Sequence, residues 1–107
     1  MKINIKETIK DYEGKPVKEG EKGKEEEVTW RSIAYLALNN VIKDELLTAE
    51  DRGKCYQITS KLYANREPDL TISEIAFILA RIQKFFVNNP LVCGRAEEFF
   101  NATSTSK

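Results

Sequence analysis

Two different spacings of apolar residues divide the chain into a short arm and a longer helical part. In the arm, Ile3, Ile5 and Ile9 stand at odd positions with lysine and asparagine between them, and a period of two is typical of a half-buried β-strand. From Trp30 onward, apolar residues recur at intervals of three and four, which is typical of amphipathic helices. The pattern therefore predicts an α+β, mainly α fold: an N-terminal β-hairpin arm followed by a compact bundle of about four helices.

The arm is predicted to span residues 1–27 and to end in a flexible loop. The turn sequence DYEGKP would reverse a first strand, which carries the three isoleucines, into a second strand around residues 15–19. Residues 19–27, EGEKGKEEE, are rich in glycine and charge and predict a mobile loop. Because a two-stranded ribbon is marginal alone, the isoleucine face is expected to lie on the chain's own helices or on a second copy of the chain.

Residues 28–107 are predicted to form the helical part of the same folding unit. Helix starts are indicated by Thr29, by Thr48, by the capping-box sequence TISE from Thr71 to Glu74, and by Asn89–Pro90. The third helix is apolar around much of its circumference and is expected to be the central one. The second helix is predicted to direct inward Cys55, Tyr56, Thr59, Leu62 and Tyr63.

Composition and charge argue against a nucleic-acid coat, a membrane protein and a secreted protein. The 107 residues include 17 basic and 17 acidic side chains, so the formal net charge is zero, whereas dedicated DNA coats and polybasic membrane binders usually carry a clear basic excess. No segment approaches the roughly 20 apolar residues of a membrane span, and the first residues do not resemble a secretory signal. A cytoplasmic protein is expected, with Cys55 and Cys93 reduced and acting as small apolar side chains.

The residues offer little for catalysis. Histidine is absent, which removes the commonest general base at neutral pH and the commonest metal ligand. Neighbouring carboxylates such as Asp44–Glu45, Glu50–Asp51 and Glu97–Glu98 would diverge by about 100° on a helix rather than face each other across a cleft. Neither a phosphate-binding loop nor a dinucleotide fingerprint is present. The sequence therefore predicts a protein that is not an enzyme, with no catalytic residue, no cofactor and no metal.

Protein–protein interaction is the first hypothesis for function. Ile3, Ile5 and Ile9 could add a strand to the sheet edge of another protein, a recurrent recognition mode. Phe99 and Phe100 could provide an exposed aromatic anchor. The alternative for both groups is that they pack in the core of their own chain.

Nucleic-acid binding is the second hypothesis. Its candidate residues are Arg52, Lys54, Lys61 and Arg66, which lie on or beside the second predicted helix. Acidic residues are interleaved with them throughout, and no helix-turn-helix signature is clear. A solvated surface of mixed charge is therefore the favoured interpretation of this region.

The order of the segments resembles that of a group of short proteins encoded by tailed bacteriophages and prophages. The resemblance rests on DYEGKP, TWRSIAYLALNN, LTAEDRGKCYQITSKLY, DLTISEIAFILARIQKFF and PLVCGRAEEFF, and it covers roughly residues 2–100. These motifs are mainly helix caps, turns and core positions. The group has no assigned activity, so the resemblance implies a small phage accessory protein and carries over no functional residue. The expected partner is a host or phage protein, or a second copy of the chain, with nucleic acid less favoured and no membrane.

Overall fold

The computed structural model describes residues 2–40, 42 and 45–105, the last four of these by their backbone only. The predicted arm and the predicted helical part include six positions that lie outside the described residues, namely 1, 41, 43, 44, 106 and 107. The arm contains a two-stranded antiparallel hairpin of β1 (Lys18–Glu19) and β2 (Glu26–Glu27). Four helices follow, namely α1 (Trp30–Asn39), α2 (Ala49–Ala64), α3 (Ile72–Phe85) and α4 (Pro90–Thr105). The predicted fold class, a hairpin arm followed by four helices, is confirmed.

The hairpin lies further along the chain than the sequence predicted. Strands β1 and β2 are joined across the segment for which a mobile loop was expected. Gly20 and Gly23 of this segment have φ values of +116° and +88°, in the left-handed region that glycine adopts without a steric penalty. Only an isolated bridge, between Lys10 and Pro16, corresponds to the expected pairing of the first strand with residues 15–19. The charged glycine segment is thus the turn of the hairpin.

The three isoleucines of the arm belong to the core of the chain itself. Ile3, Ile5 and Ile9 are each at most 2% exposed and join the same apolar cluster as the helices. The backbone N–H of Ile5 donates to the carbonyl oxygen of Arg66 over 3.2 Å, and that of Ile9 donates to Val28 over 2.9 Å. Of the two expected locations for this face, the structure shows the one on the chain's own helices.

The four helices begin at the helix starts that the sequence predicted. The hydroxyl of Thr29 accepts from the N–H of Ser32, and the hydroxyl of Thr48 accepts from that of Asp51. Helix α3 begins with the complete Thr71–Glu74 capping box, and α4 begins at Pro90. Each hydroxyl satisfies a backbone donor that would otherwise lack a partner at the helix start.

Helices α1 and α3 are the inner pair, because α1 packs against α2 and α3, and α3 also packs against α4. The expected central position of α3 is thus shared with α1. The largest fully buried side chains are Phe100, Ile5, Ile9, Leu38, Leu62, Leu70, Ile75, Ile78 and Ile82.

Helix α2 is rotated slightly from the predicted orientation. Cys55 and Leu62 are buried as expected, but the residue between them in the buried stripe is Ile58. Tyr56 and Tyr63 are 74% and 50% exposed, so the prediction that they point inward was wrong. Each lies one position beyond a residue of the buried stripe, which is about 100° around the helix, and this displacement brings both rings to the surface.

Candidate interaction site

An open apolar groove lies where α1 ends and α2 begins. It encloses about 490 Å³, within the range of ligand pockets in proteins. Its apolar wall is formed by Leu38, Ile42, Leu46, Leu47, Cys55 and Tyr56, and its polar lining by Asn39, Asn40, Glu45 and Arg52. We call this surface the α1–α2 groove.

The walls of the α1–α2 groove come from local features of the sequence. Thr48 caps α2 and so fixes where its first turns begin. Arg52 and Tyr56 are four residues apart and therefore lie on the same side of that helix, beside the groove. The Nδ2 of Asn39, the last residue of α1, donates to the Oγ1 of Thr59 over 3.0 Å. This hydrogen bond joins the end of α1 to α2 and holds the two walls together.

Leu46 is the most exposed large apolar side chain of the described residues, with 94% of its surface accessible. Tyr56 lines the same groove and is 74% exposed. Leu47, the next residue after Leu46, is half-buried and packs against the core. An apolar surface in which a projecting side chain stands beside a concave wall is typical of sites where proteins meet.

A buried arginine contacts the end of α1 and the groove residue Glu45. Arg81 of α3 is 4% exposed. Its Nε donates to the carbonyl oxygen of Ala37 over 3.0 Å, and its Nη2 donates to that of Asn40 over 3.2 Å. These acceptors lie at the end of α1, where carbonyl groups have no partner within the helix. Arg81 thus performs for α1 the function of a C-terminal cap supplied by another helix.

The charge of Arg81 is compensated by a residue of the groove. Its Nη1 forms an ion pair with Glu45, whose side chain is 23% exposed. The Nζ of Lys84 lies 3.9 Å from the other carboxylate oxygen of Glu45. Because a buried guanidinium is tolerated only when it is paired and hydrogen-bonded, Glu45 is held in place. A groove wall that is fixed before binding loses less conformational entropy when a partner arrives.

The thiol of Cys55 contributes to the groove as an apolar surface. Both Cys55 and Cys93 are free, and Cys55 is buried. Burial raises the pKa of the Cys55 thiol, and this effect outweighs the opposing influence of the Arg81 charge. A raised pKa keeps the thiol protonated at neutral pH, and the thiol form is a poor nucleophile.

The residues expected to bind a partner lie in the core instead. Phe100 is fully buried, and Phe99 is half-buried with its ring stacked on that of Trp30 at a centroid distance of 5.1 Å. Together with the buried Ile3, Ile5 and Ile9, they are packed within their own chain. Burial in the core leaves Ile3, Ile5, Ile9 and Phe100 no area for docking, which corrects the expectation for these four side chains. Phe99 packs against the core and keeps part of its surface exposed.

The four basic candidates for nucleic-acid binding do not form a common unpaired surface. Arg52 lies at the α1–α2 groove, whereas Lys54 and Lys61 are about 160–180° away around α2. Lys61 forms an ion pair with Glu74 at 2.8 Å, and Lys54 lies 3.8 Å from Glu50. Arg66 follows the end of α2 and holds the arm through its backbone carbonyl. Phosphate binding depends on several positive charges acting on one surface.

The groove residues other than Arg52 were not among the candidate site residues from the sequence. One sequence feature could have indicated the groove, namely the apolar pair Leu46–Leu47 directly before Thr48, the cap of α2. Neighbouring residues of an extended connection point in different directions, so only one of the two can face the core. Arg81 gave no such signal, because a single charge beside an apolar stripe usually belongs to the surface.

No protein-family model, no curated protein and no solved structure matches this chain. In the part of the chain that the structure describes, no helix combines the length and apolar character needed to cross a membrane. Among the same residues, no three His, Cys, Asp or Glu side chains are grouped so that they could hold a metal ion.

Proposed function

We propose that this protein is a non-enzymatic accessory protein that acts by docking onto another protein through the α1–α2 groove. The observation that carries the proposal is the 94% exposure of Leu46 beside a concave apolar wall. Removing apolar area from water contributes about 25 cal/mol per Å², so covering Leu46 and Tyr56 together favours association. The occupant is a protein segment that presents a complementary apolar surface.

The support beneath the groove favours docking over catalysis. The groove carboxylate, Glu45, is engaged by Arg81 and Lys84, and the groove thiol, Cys55, has a raised pKa. Glu45 is therefore engaged in ion pairs, and the Cys55 thiol stays protonated. A nucleophilic thiol would instead need a lowered pKa.

The proposed setting is a tailed phage or prophage within its bacterial host, where the protein works in the cytoplasm. This part of the proposal is supported by the resemblance of the segments around DYEGKP, TISE and PLVCG to short phage-encoded proteins. Nucleic-acid binding is the alternative role. It receives less support, because Lys54 and Lys61 are paired with carboxylates and Arg52 lies on the other side of α2.

Site-specific photo-crosslinking tests the proposed role of the groove. The photoreactive residue benzoylphenylalanine replaces Tyr56 in one version of the full chain and Tyr12 in the other. Both tyrosines are similarly exposed, at 74% and 78%, but Tyr12 lies in the arm. The chains are expressed in bacterial cells, irradiated and separated by denaturing electrophoresis. The proposal expects covalent adducts from position 56 and none of the same size from position 12.

A second variant makes the result specific to the groove. Leu46→Asp in the chain that carries the probe at position 56 places a charge on the docking surface and should remove most of the adduct. No adduct from position 56, equal adducts from positions 12 and 56, or adducts that persist in the Leu46→Asp chain would each contradict the proposal.

A further inference from the structure

We infer that the occupant of the α1–α2 groove is an acidic amphipathic helix of a partner protein, which places a bulky apolar side chain in the groove and an aspartate or glutamate against Arg52. The inference rests on the proposed docking function of the same surface. It adds to that function the charge and the residue spacing that the partner presents.

The first observation is that Arg52 is a charged residue of the groove without an ion-pair partner. Among the described residues, the charged side chains that line the groove are Glu45 and Arg52. Glu45 is engaged by Arg81 and Lys84. The exposed guanidinium of Arg52, in contrast, forms no ion pair with a carboxylate of the described residues. A guanidinium beside an apolar wall is suited to bind a partner's carboxylate, because an ion pair strengthens where water is excluded.

The second observation is an excess of positive charge in and beside the groove. Glu45 and Arg52 line it, and Arg81 and Lys84 both contact Glu45. Asp51, in the first turn of α2, adds a second carboxylate nearby. Three cations therefore stand against two carboxylates. A partner segment that carries negative charge is attracted to this surface, and one that carries positive charge is repelled.

The geometry of the groove sets the geometry of its occupant. The walls are formed by the end of α1, the connection after it and the start of α2, so the described residues offer no strand edge there. A helix laid in the groove is the recognition mode that fits. Arg52 and Tyr56 are four residues apart, about 6 Å along one side of α2. A partner helix matches this distance with an acidic residue three or four positions from a bulky apolar one.

Selection from a displayed peptide library tests the inference with a defined probe. The library encodes alanine-rich helical peptides of about 16 residues, or between four and five turns, with one face randomised. It is selected on the full chain, on Arg52→Glu and on Lys54→Glu. Lys54 is the matched control, because it is also exposed on α2, undergoes the same change in charge and lies on the other side of the helix. Circular dichroism of each variant establishes that it is folded.

Peptides recovered with wild type and with Lys54→Glu should be enriched in aspartate or glutamate three or four positions from a bulky apolar residue. Those recovered with Arg52→Glu should carry lysine or arginine at that position instead. Fluorescence anisotropy then measures the dissociation constant of the most enriched acidic peptide. Replacing its acidic residue with glutamine should weaken binding to wild type about two- to fivefold. Arg52→Glu should weaken binding of the acidic peptide at least about fivefold, and a lysine version of the peptide should restore it.

Three results would overturn the inference. The first is enrichment of apolar residues without an acidic one. The second is equal binding of the acidic peptide to wild type and to Arg52→Glu. The third is displacement of the peptide by an oligothymidine, which would assign the charge of Arg52 to a nucleic acid.

The Leu46→Asp chain distinguishes this failure from failure of the docking function. Peptides without an acidic preference that no longer bind Leu46→Asp would overturn the inference and leave docking onto an apolar segment in place. If every selected peptide still binds Leu46→Asp, and the probe at position 56 gives no adduct in cells, both proposals are contradicted.

Discussion

Arg81 of α3 donates a hydrogen bond from its Nε to the carbonyl oxygen of Ala37, in the last turn of α1, over 3.0 Å. The side chain of Arg81 is 5% exposed and is neutralised by Glu45 of the α1–α2 groove. One residue therefore joins the central helices, the end of α1 and the groove. Its contribution should be visible in both stability and binding.

Replacing Arg81 with methionine should lower the free energy of unfolding by about 2–4 kcal/mol, because the carbonyl groups at the end of α1 and the Glu45 carboxylate lose their partner. Urea unfolding followed by circular dichroism measures this change. The control is Lys84→Met, which removes an exposed charge 3.9 Å from the same carboxylate and should cost no more than about 1 kcal/mol. Equal losses in the two variants would contradict the role assigned to Arg81.

A charged substitution should affect stability little at Leu46 and strongly at Leu47, the two leucines before α2. Leu46→Asp should change the free energy of unfolding by less than about 0.5 kcal/mol, because Leu46 is almost fully exposed. Leu47→Asp should lower it by about 1–3 kcal/mol, because Leu47 packs against the core. Thermal and urea unfolding of both variants check the difference. A large loss of stability in Leu46→Asp would mean that its side chain is buried.

Two glycine-to-alanine substitutions should change the free energy of unfolding in opposite directions. Gly53→Ala lies inside α2 with no atom within 4 Å of the added Cβ, so it should stabilise the protein by about 0.5–1 kcal/mol. Gly20→Ala would force alanine to φ +116° with its Cβ 3.1 Å from the carbonyl oxygen of Lys24, so it should destabilise by about 1 kcal/mol or more. Melting temperatures compare the two. A stabilised Gly20→Ala would contradict the hairpin turn.

The Glu74 carboxylate should make stability depend on pH in the acidic range. Burial raises the pKa of Glu74, but hydrogen bonds from Lys61 and from the backbone N–H of Thr71 outweigh burial and leave this pKa below its ordinary value of 4.5. A group whose pKa is lowered by folding stabilises the protein fully above its unfolded value, and this contribution is lost as the pH falls through the folded value. The free energy of unfolding should therefore decrease as the pH is lowered from about 4.5.

Glu74→Gln should reduce that fall and should also lower stability at pH 7 by about 0.5–1.5 kcal/mol through loss of the capping box. Urea unfolding between about pH 3 and pH 7 measures both effects. Glu21→Gln, an exposed position in the hairpin turn, serves as the matched control. An unchanged pH dependence in Glu74→Gln would show that this carboxylate is not responsible.

The helical part of the fold was predictable because its signals are local. Thr29, Thr48 and Thr71 cap the helices that they were expected to cap, and Pro90 begins α4. Each signal depends on the chemistry of one turn of helix, which tertiary packing does not alter. The hairpin register was not predictable in the same way. The N–H groups of Ile5 and Ile9 donate to Arg66 and Val28, and only the carbonyl oxygen of Ile9 pairs with the expected second strand.

The α1–α2 groove could not be predicted from any one segment. It requires the rotation that places Cys55 inside and Tyr56 outside, and helix periodicity fixes such a rotation only to within about one residue. It also requires Arg81 to reach Glu45 and the end of α1 over 36 to 44 positions of sequence. Long-range pairing of this kind leaves no spacing pattern in the chain.

Carbene footprinting read by mass spectrometry tests most directly that the α1–α2 groove is the apolar surface that a partner covers. The full chain is labelled with a photoactivated diazirine in dilute buffer and in concentrated bacterial extract. We expect Leu46 and Tyr56 to be labelled in buffer and protected in the extract, while Tyr12 and Ile72 keep their label in both. Protection of Tyr12 or Ile72 with continued labelling of Leu46 would contradict the account.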